Sequence, residues 1–242
     1  MAHFGVPVIP TVPPMPPGQT DLNAWTTAAQ NGWIVNPNLP LTEVQYQDQV
    51  TMTPPCDPLT SHVFTRRMLA CPLTINGPPG SEPDGKASWW VKYLNVNTLG
   101  HSKRAWVQGH LLNHHIHGPG LPVNLVPITD QLNRIMERWA EKFVKDEILK
   151  KGHILKYEVT VNWLAGALSG QGSDWLGNAS KHAAGMHQAF DNLKTGECLA
   201  PTSVSWEAWT IQWNVNHWME VLPIKFSGYE GIENGIFYNN WN

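Results

Sequence analysis

From residue 130 to 150 the apolar side chains fall at three- and four-residue steps. Leu132, Ile135, Met136, Trp139, Phe143, Val144 and Ile148 line one side of the segment, the spacing of an amphipathic helix. Thr129 or Asp130 can cap its start, Lys150 and Lys151 suit its C-terminal dipole, and Gly152 can end it. The segments around it read differently. "SWWVKYLNVN" (88–97) and "RAWVQGHLLN" (104–113) predict two strands joined by a glycine-containing turn. "NLVPIT" (124–129) predicts a short strand whose Pro127 confines it to an edge or a terminus. "ILKYEVTVNW" (154–163) follows the helix as a strand, and "SVSWEAWTIQW" (203–213) is a tryptophan-rich strand with partial alternation. Several strands and one central helix give an α+β class built on an antiparallel sheet.

The N-terminal part lacks such periodicity. Residues 6–20, "VPVIPTVPPMPPGQT", carry six prolines and read as an extended arm or linker. Residues 21–65 form an irregular flank rich in Pro, Asn, Thr and Gly, and the loop-rich character extends to about residue 87. "HVFTRRML" (62–69) is its clearest extended piece, and "GQGSDWLGNASKH" (170–182) is a second irregular stretch. Three parts result: an arm over 1–20, a flank over 21–65 and one domain over 66–242.

Composition narrows the class. At 242 residues the chain is long enough to bury a sizeable core. Charged residues make up 14%, well below the usual quarter, so large amphipathic rings must supply part of the surface; there are 13 tryptophans. A net charge of −3 argues against broad attraction to nucleic acid while leaving room for a local basic patch. Cys56, Cys71 and Cys198 match no zinc spacing. Cys56 and Cys71 can pair in an oxidising compartment, and the odd count leaves at least one thiol over. No run approaches the roughly 18 apolar residues of a membrane-spanning helix. The first residues show no basic stretch followed by an apolar one, so no secretory signal is expected.

The chemistry concentrates in "VQGHLLNHHIHGPG" (107–120), where His110, His114, His115 and His117 stand within eight residues. Zinc suits imidazole, but a zinc cage wants four ligands, and no cysteine or acidic partner is adjacent. The expectation for His114, His115 and His117 is a solvated loop with one histidine near a substrate. His110 stands apart: it ends a strand, and a helix carrying Asn133 in its first turn follows the next strand. A neutral imidazole can deprotonate water near neutral pH. An amide oxygen can hold a hard divalent cation that keeps most of its waters. Together they suit phosphodiester hydrolysis.

The ordered set "QGHLLN…GPG…NLVPIT…LN" resembles the DNA/RNA non-specific endonuclease family of the ββα-metal (His-Me finger) superfamily. It is most similar to the nuclease modules of bacterial polymorphic toxins, which tend to read "RGHLLN…GGPG…NLTPIT…AN". The likeness covers about residues 89–163; "PTSVSWEAW" is a weaker echo, and nothing before about residue 65 takes part. The resemblance implies a strand–loop–strand–helix finger at the active site. It implies His110 as general base, Asn133 as metal ligand, Asn124 as the residue that buttresses the site, and Glu141, or else Glu137, as the contact to metal-bound water. It further implies Mg²⁺ (or Mn²⁺), a DNA or RNA substrate cut with little sequence preference, and a toxin or effector role. The resemblance implies a protein secreted or injected to act in a target cell's cytoplasm, or otherwise cytoplasmic, with an immunity protein as a candidate partner and a delivery module as another through the proline-rich start.

One departure stands out. Family members usually place Arg before Gly-His, and this chain has Gln108. Glutamine has neither the charge nor the fork of donors that grips a phosphate. Arg104, Lys103 and Arg138 are the nearest cations in sequence to take over substrate binding. Otherwise the chain is a degenerate nuclease that keeps the fold for binding or structure. The lysines at 142, 145, 150, 151 and 156 can follow a phosphate backbone or form a solvated face. The rings of "WEAWTIQW" can pack the sheet or stack on bases.

Overall fold

The computed structural model describes residues 12–52, 62–83, 106–163, 201, 203–221 and 236–238. Within them the class is α+β. Strands β1 (Val44–Gln47), β4 (Arg67–Leu73), β7 (Leu155–Asn162), β8 (Ser203–Asn214) and β10 (Ile236–Tyr238) lie side by side in that order, all antiparallel, and β9 (His217–Glu220) folds back on β8. Two small sheets stand apart: β2 (Val50–Met52) with β3 (His62–Phe64), and β5 (Trp106–His110) with β6 (Leu125–Thr129).

Alternation decides which face of the main sheet is buried. Rows Val44–Ala70–Tyr157–Ala208 and Tyr46–Met68–Val159–Trp206 run across the strands. Met68, Ala70, Tyr157, Val159, Trp206 and Ala208 are buried together with Met136, Ala140, Val144 and Ile148 of the helix. Small alanines on either side of Tyr157 make room for its ring. The other face is wetter, with Arg67 forked onto Glu158 at 2.7 and 2.8 Å and Lys156 over the Trp209 ring.

The predicted helix is present as α2 (130–150), with a feature that its periodicity contains in outline. Ordinary α-turns over Asp130–Met136 and Lys142–Lys145 alternate with wider π-helical turns over Glu137–Glu141 and Asp146–Lys150. Its buried apolar positions, Met136, Ala140, Val144 and Ile148, repeat every four residues. On a 3.6-residue helix such a row drifts by about 40° per step. The wider turns offset that drift and keep the row on the sheet; π-turns of this kind are rare and often mark functional sites. Gly152, at φ 68, ends the helix, and Glu147 ties off its last turn by bonding Lys151 (2.5 Å) and His153 (2.7 Å).

Several expectations change here. The flank is less irregular than its composition indicates: α1 (Leu22–Gln30) is a helix capped by Asp21, and β1 is the edge of the main sheet. The sheet therefore crosses the boundary drawn at residue 65. "HVFTRRML" is no single strand, since Thr65 and Arg66 separate β3 from β4 and the two join different sheets. Of the proline-rich arm, the described end is docked: Pro13 accepts from the Trp25 indole at 2.7 Å and Gly18 lies against Trp213 and Trp218. Cys71 is a free thiol. The expected strand 88–97, the stretch 170–182, Arg104 and Lys103 lie outside the described residues.

Strand β7 offers a direct check of the facing. Leu155→Ala should cost about 2–5 kcal/mol in urea unfolding, the range for a buried leucine. Lys156→Ala, one residue on and facing out, should cost no more than about 1 kcal/mol. Equal costs would mean that the buried face has been misassigned.

Candidate active site

The strand pair β5–β6 is antiparallel with Gln108 opposite Pro127, Gly109 opposite Val126 and His110 opposite Leu125, and α2 begins where β6 ends. Gly109 has a steric reason. A Cβ there would run into the Ile128 side chain of β6, which glycine avoids, while the Asn133 amide oxygen lies beyond at an ordinary contact distance of 3.6 Å. Asn133 therefore lies on the Gly109 face of β5, and alternation turns the His110 side chain to the other face. Alternation puts Gln108 on the His110 side of the strand, half-buried.

His110 is 8% exposed. Its Nε2 lies 3.0 Å from the Ser81 carbonyl oxygen. A carbonyl can only accept, so Nε2 carries the hydrogen and Nδ1 keeps its lone pair. Burial pushes the imidazole's pKa down; the Ser81 bond and Glu82 pull it up, and His114 adds to the lowering. Neutral, tautomer-fixed and with an Nδ1 that has no partner among the described residues, the ring has the form of a general base.

Ser81 belongs to a strap, residues 77–83, that crosses the loop after β5. Ser81 N–H donates to Gly118 O at 3.1 Å, and Gly120 N–H donates to Ser81 Oγ at 2.7 Å. The two ring nitrogens of His117 face Pro78 O (2.8 Å) and Thr74 O (3.0 Å). Glu82 meets His114 Nε2 at 3.1 Å. Gly80 presses against the His114 carbonyl where any Cβ would clash. The loop expected to be solvated is thus clamped from one side.

Asn124 clamps it from the other. Wholly buried, its amide accepts from Leu112 N–H at 2.9 Å and donates to Leu112 O (2.9 Å) and Pro119 O (3.0 Å). Its own carbonyl accepts from Leu111 N–H at 2.8 Å. Every hydrogen-bonding atom of this side chain is committed, so Asn124 shapes the loop and does not reach a substrate.

Glu137 and Glu141, four residues apart on α2, differ sharply. Glu137 is exposed, while Glu141 is 7% exposed. Glu141 Oε2 accepts from Asn113 Nδ2 at 2.5 Å and has Lys145 Nζ at 3.9 Å; Oε1 has no partner among the described residues. Burial dominates and pushes this carboxyl up to about 7, against the opposing pull of Lys145 and Asn113. Arg138 is exposed, its guanidinium 4.9 Å from the centre of the Trp139 ring. The lysine run is largely matched by acids: Lys150 with Asp146, Lys151 with Glu147, Lys156 with Glu220.

Asn133 and Glu141 supply oxygen donors only, the set a hard cation prefers when it keeps most of its waters. Among the described residues no group of three or more His, Cys, Asp or Glu side chains converges on one point. The donors therefore suit a lightly held Mg²⁺ and not a closed cage. Sequence reasoning missed Asn113, Ser81 and Glu82. Asn113 follows "GHLL" directly and had a local signal, since an Asn before a short helical turn is a cap; its side chain does accept from His115 N–H at 2.9 Å. The strap carried none beyond "GPPG".

The Glu141 carboxyl yields a pH prediction. Its pKa is raised on folding from 4.5 to about 7, so the folded state disfavours its ionised form. Stability from this group is full below pH 4.5 and is lost as pH rises through about 7, by about 3 kcal/mol at most. In metal-free protein, Glu141→Gln should therefore be more stable than wild type at pH 8 and equal to it near pH 4.5. A difference that does not change with pH in parallel denaturant titrations would remove the buried, uncompensated carboxylate. Compared with protein-family models, with curated proteins and with solved structures, the chain finds no match.

Proposed function

We propose that this protein is a metal-dependent endonuclease that hydrolyses phosphodiester bonds of DNA, and of RNA where it meets it, through a ββα-metal finger formed by β5, β6 and α2. The observation that carries the reading is the buried, tautomer-fixed imidazole of His110 at the end of β5, beside a histidine turn that Asn113 ties to the buried Glu141 of the helix. His110 Nδ1 takes a proton from water as the water oxygen attacks phosphorus, and the bond from phosphorus to the leaving oxygen breaks. Asn133 would hold Mg²⁺ or Mn²⁺ and Glu141 would contact its waters. When bound, the cation supplies charge for the pentacovalent phosphate and the leaving oxygen. Asn113 orients Glu141, and Asn124 and the strap keep the loop fixed while the reaction proceeds. The backbone carbonyl of Ser81 holds His110 through both protonation states.

The biological setting follows from the sequence likeness alone: a bacterial toxin or effector, delivered into a target cell's cytoplasm and neutralised by an immunity protein. A second reading, a catalytically degenerate member kept for binding, rests on one observation, the uncharged Gln108 where an arginine would grip phosphate.

Purified protein with plasmid DNA and Mg²⁺ separates the two. Nicking and linearisation should occur, stop in EDTA, and fall by about 10²–10⁴-fold in His110→Ala, with a comparable fall in Asn133→Ala. Plasmid that stays intact at high protein excess would favour the binding reading. Equal cutting by wild type and His110→Ala would move the chemistry elsewhere.

A further inference from the structure

Among the described residues the nuclease reading finds no obvious partner for a substrate phosphate. Gln108 brings no charge to the His110 side of β5, Lys145 sits beside Glu141, Arg138 lies over Trp139, and three of the remaining lysines are matched by acids. Next to His110, however, the short turn His114–Ile116 presents two more imidazoles. The His114 and His115 rings lie 3.9 Å apart between centres, and the His114 ring is 5.6 Å from that of His110.

This pair is built in and not a frayed loop. Asn113 caps the turn through His115 N–H and is itself held by buried Glu141, and Gly80 of the strap backs the His114 carbonyl. Glu82 fixes the His114 ring through Nε2. His114 Nδ1 and both ring nitrogens of His115 have no partner among the described residues, and His115 is exposed.

Resting on the nuclease reading, we propose that His114 and His115 form the phosphate grip of this protein, holding the nucleic-acid backbone beside His110 in place of an arginine at position 108. In its charged form His114 donates through Nε2 to Glu82 and through Nδ1 outward, and His115 adds a second outward donor. The His114 N–H then makes a charge-assisted bond to a phosphate oxygen, and His115, whose charged form burial, His114 and Lys145 disfavour, adds a neutral one. Such bonds form equally in the bound substrate and in the transition state, so they lower KM and leave kcat unchanged.

The test uses the full chain and a fluorescent DNA duplex, with cleavage in Mg²⁺ for KM and kcat, and anisotropy in EDTA for binding. The double variant His114→Gln/His115→Gln, checked for an unchanged melting curve, should raise KM and Kd together by about tenfold or more, with kcat within about threefold. Adding Gln108→Arg to that variant should restore both. A wild type that cuts while the double variant keeps its KM and Kd overturns the grip alone. So does a loss confined to kcat, or one that Gln108→Arg fails to repair. A wild type that neither cuts nor binds overturns the nuclease reading and the grip with it. Should the double variant melt early, the single His115→Gln change at the exposed ring carries the same KM criterion at about threefold or more.

Discussion

A single buried amide sets the geometry on which the candidate site depends. Asn124 closes the loop between β5 and β6 with three side-chain hydrogen bonds and one from its carbonyl. Each satisfies a polar group that would otherwise be buried unpaired, at a cost of about 1–3 kcal/mol apiece. Because the bonds fall on Leu111, Leu112 and Pro119, they fix the chain directly after His110 and through the histidine turn. Loop position and the Asn113–Glu141 contact follow from that closure, while the Ser81 carbonyl of the strap sets the imidazole tautomer.

Helix α2 supplies the second constraint. Its wide turns let four-residue rows run nearly straight, one row into the sheet core and the next, Asn133–Glu137–Glu141–Lys145, along the edge by the loop. Its two oxygen donors differ in environment, half-buried at Asn133 and deeply buried at Glu141. Asn133 offers a neutral oxygen donor and Glu141 a buried carboxylate, the kind of oxygens that a hard cation keeping its waters would take. The same burial that makes Glu141 costly in the metal-free protein would make a bound cation stabilising, since it offsets the buried charge.

Much of this was legible from local pattern. The helix, β6, β7 and β8 announced themselves through periodicity and turn residues, and His110, Asn124, Asn133 and Glu141 through an ordered motif. What stayed hidden is long-range. The strap reaches His110 from 29 residues away, and nothing in "GPPGSE" names its partner. Strand β1 joins the main sheet through only four residues, too short a run for its alternation to stand out, and pairing with β4 makes them a strand. The π-turns were visible only as a four-residue repeat, which periodicity alone does not distinguish from an α-helical stripe. His117 read as solvated because a sequence window cannot see the carbonyls of Thr74 and Pro78 that receive it.

The most direct test of the central claim, that His110 takes the proton, is chemical rescue. In His110→Gly the missing ring leaves a space shaped for free imidazole, backed by the Ser81 carbonyl. Cleavage of duplex DNA in Mg²⁺ by that variant should be near background without imidazole and rise in a saturable way as imidazole is added, while wild type stays unaffected. A variant that cuts as fast as wild type without imidazole, or one that imidazole cannot revive although wild type cuts, would contradict it.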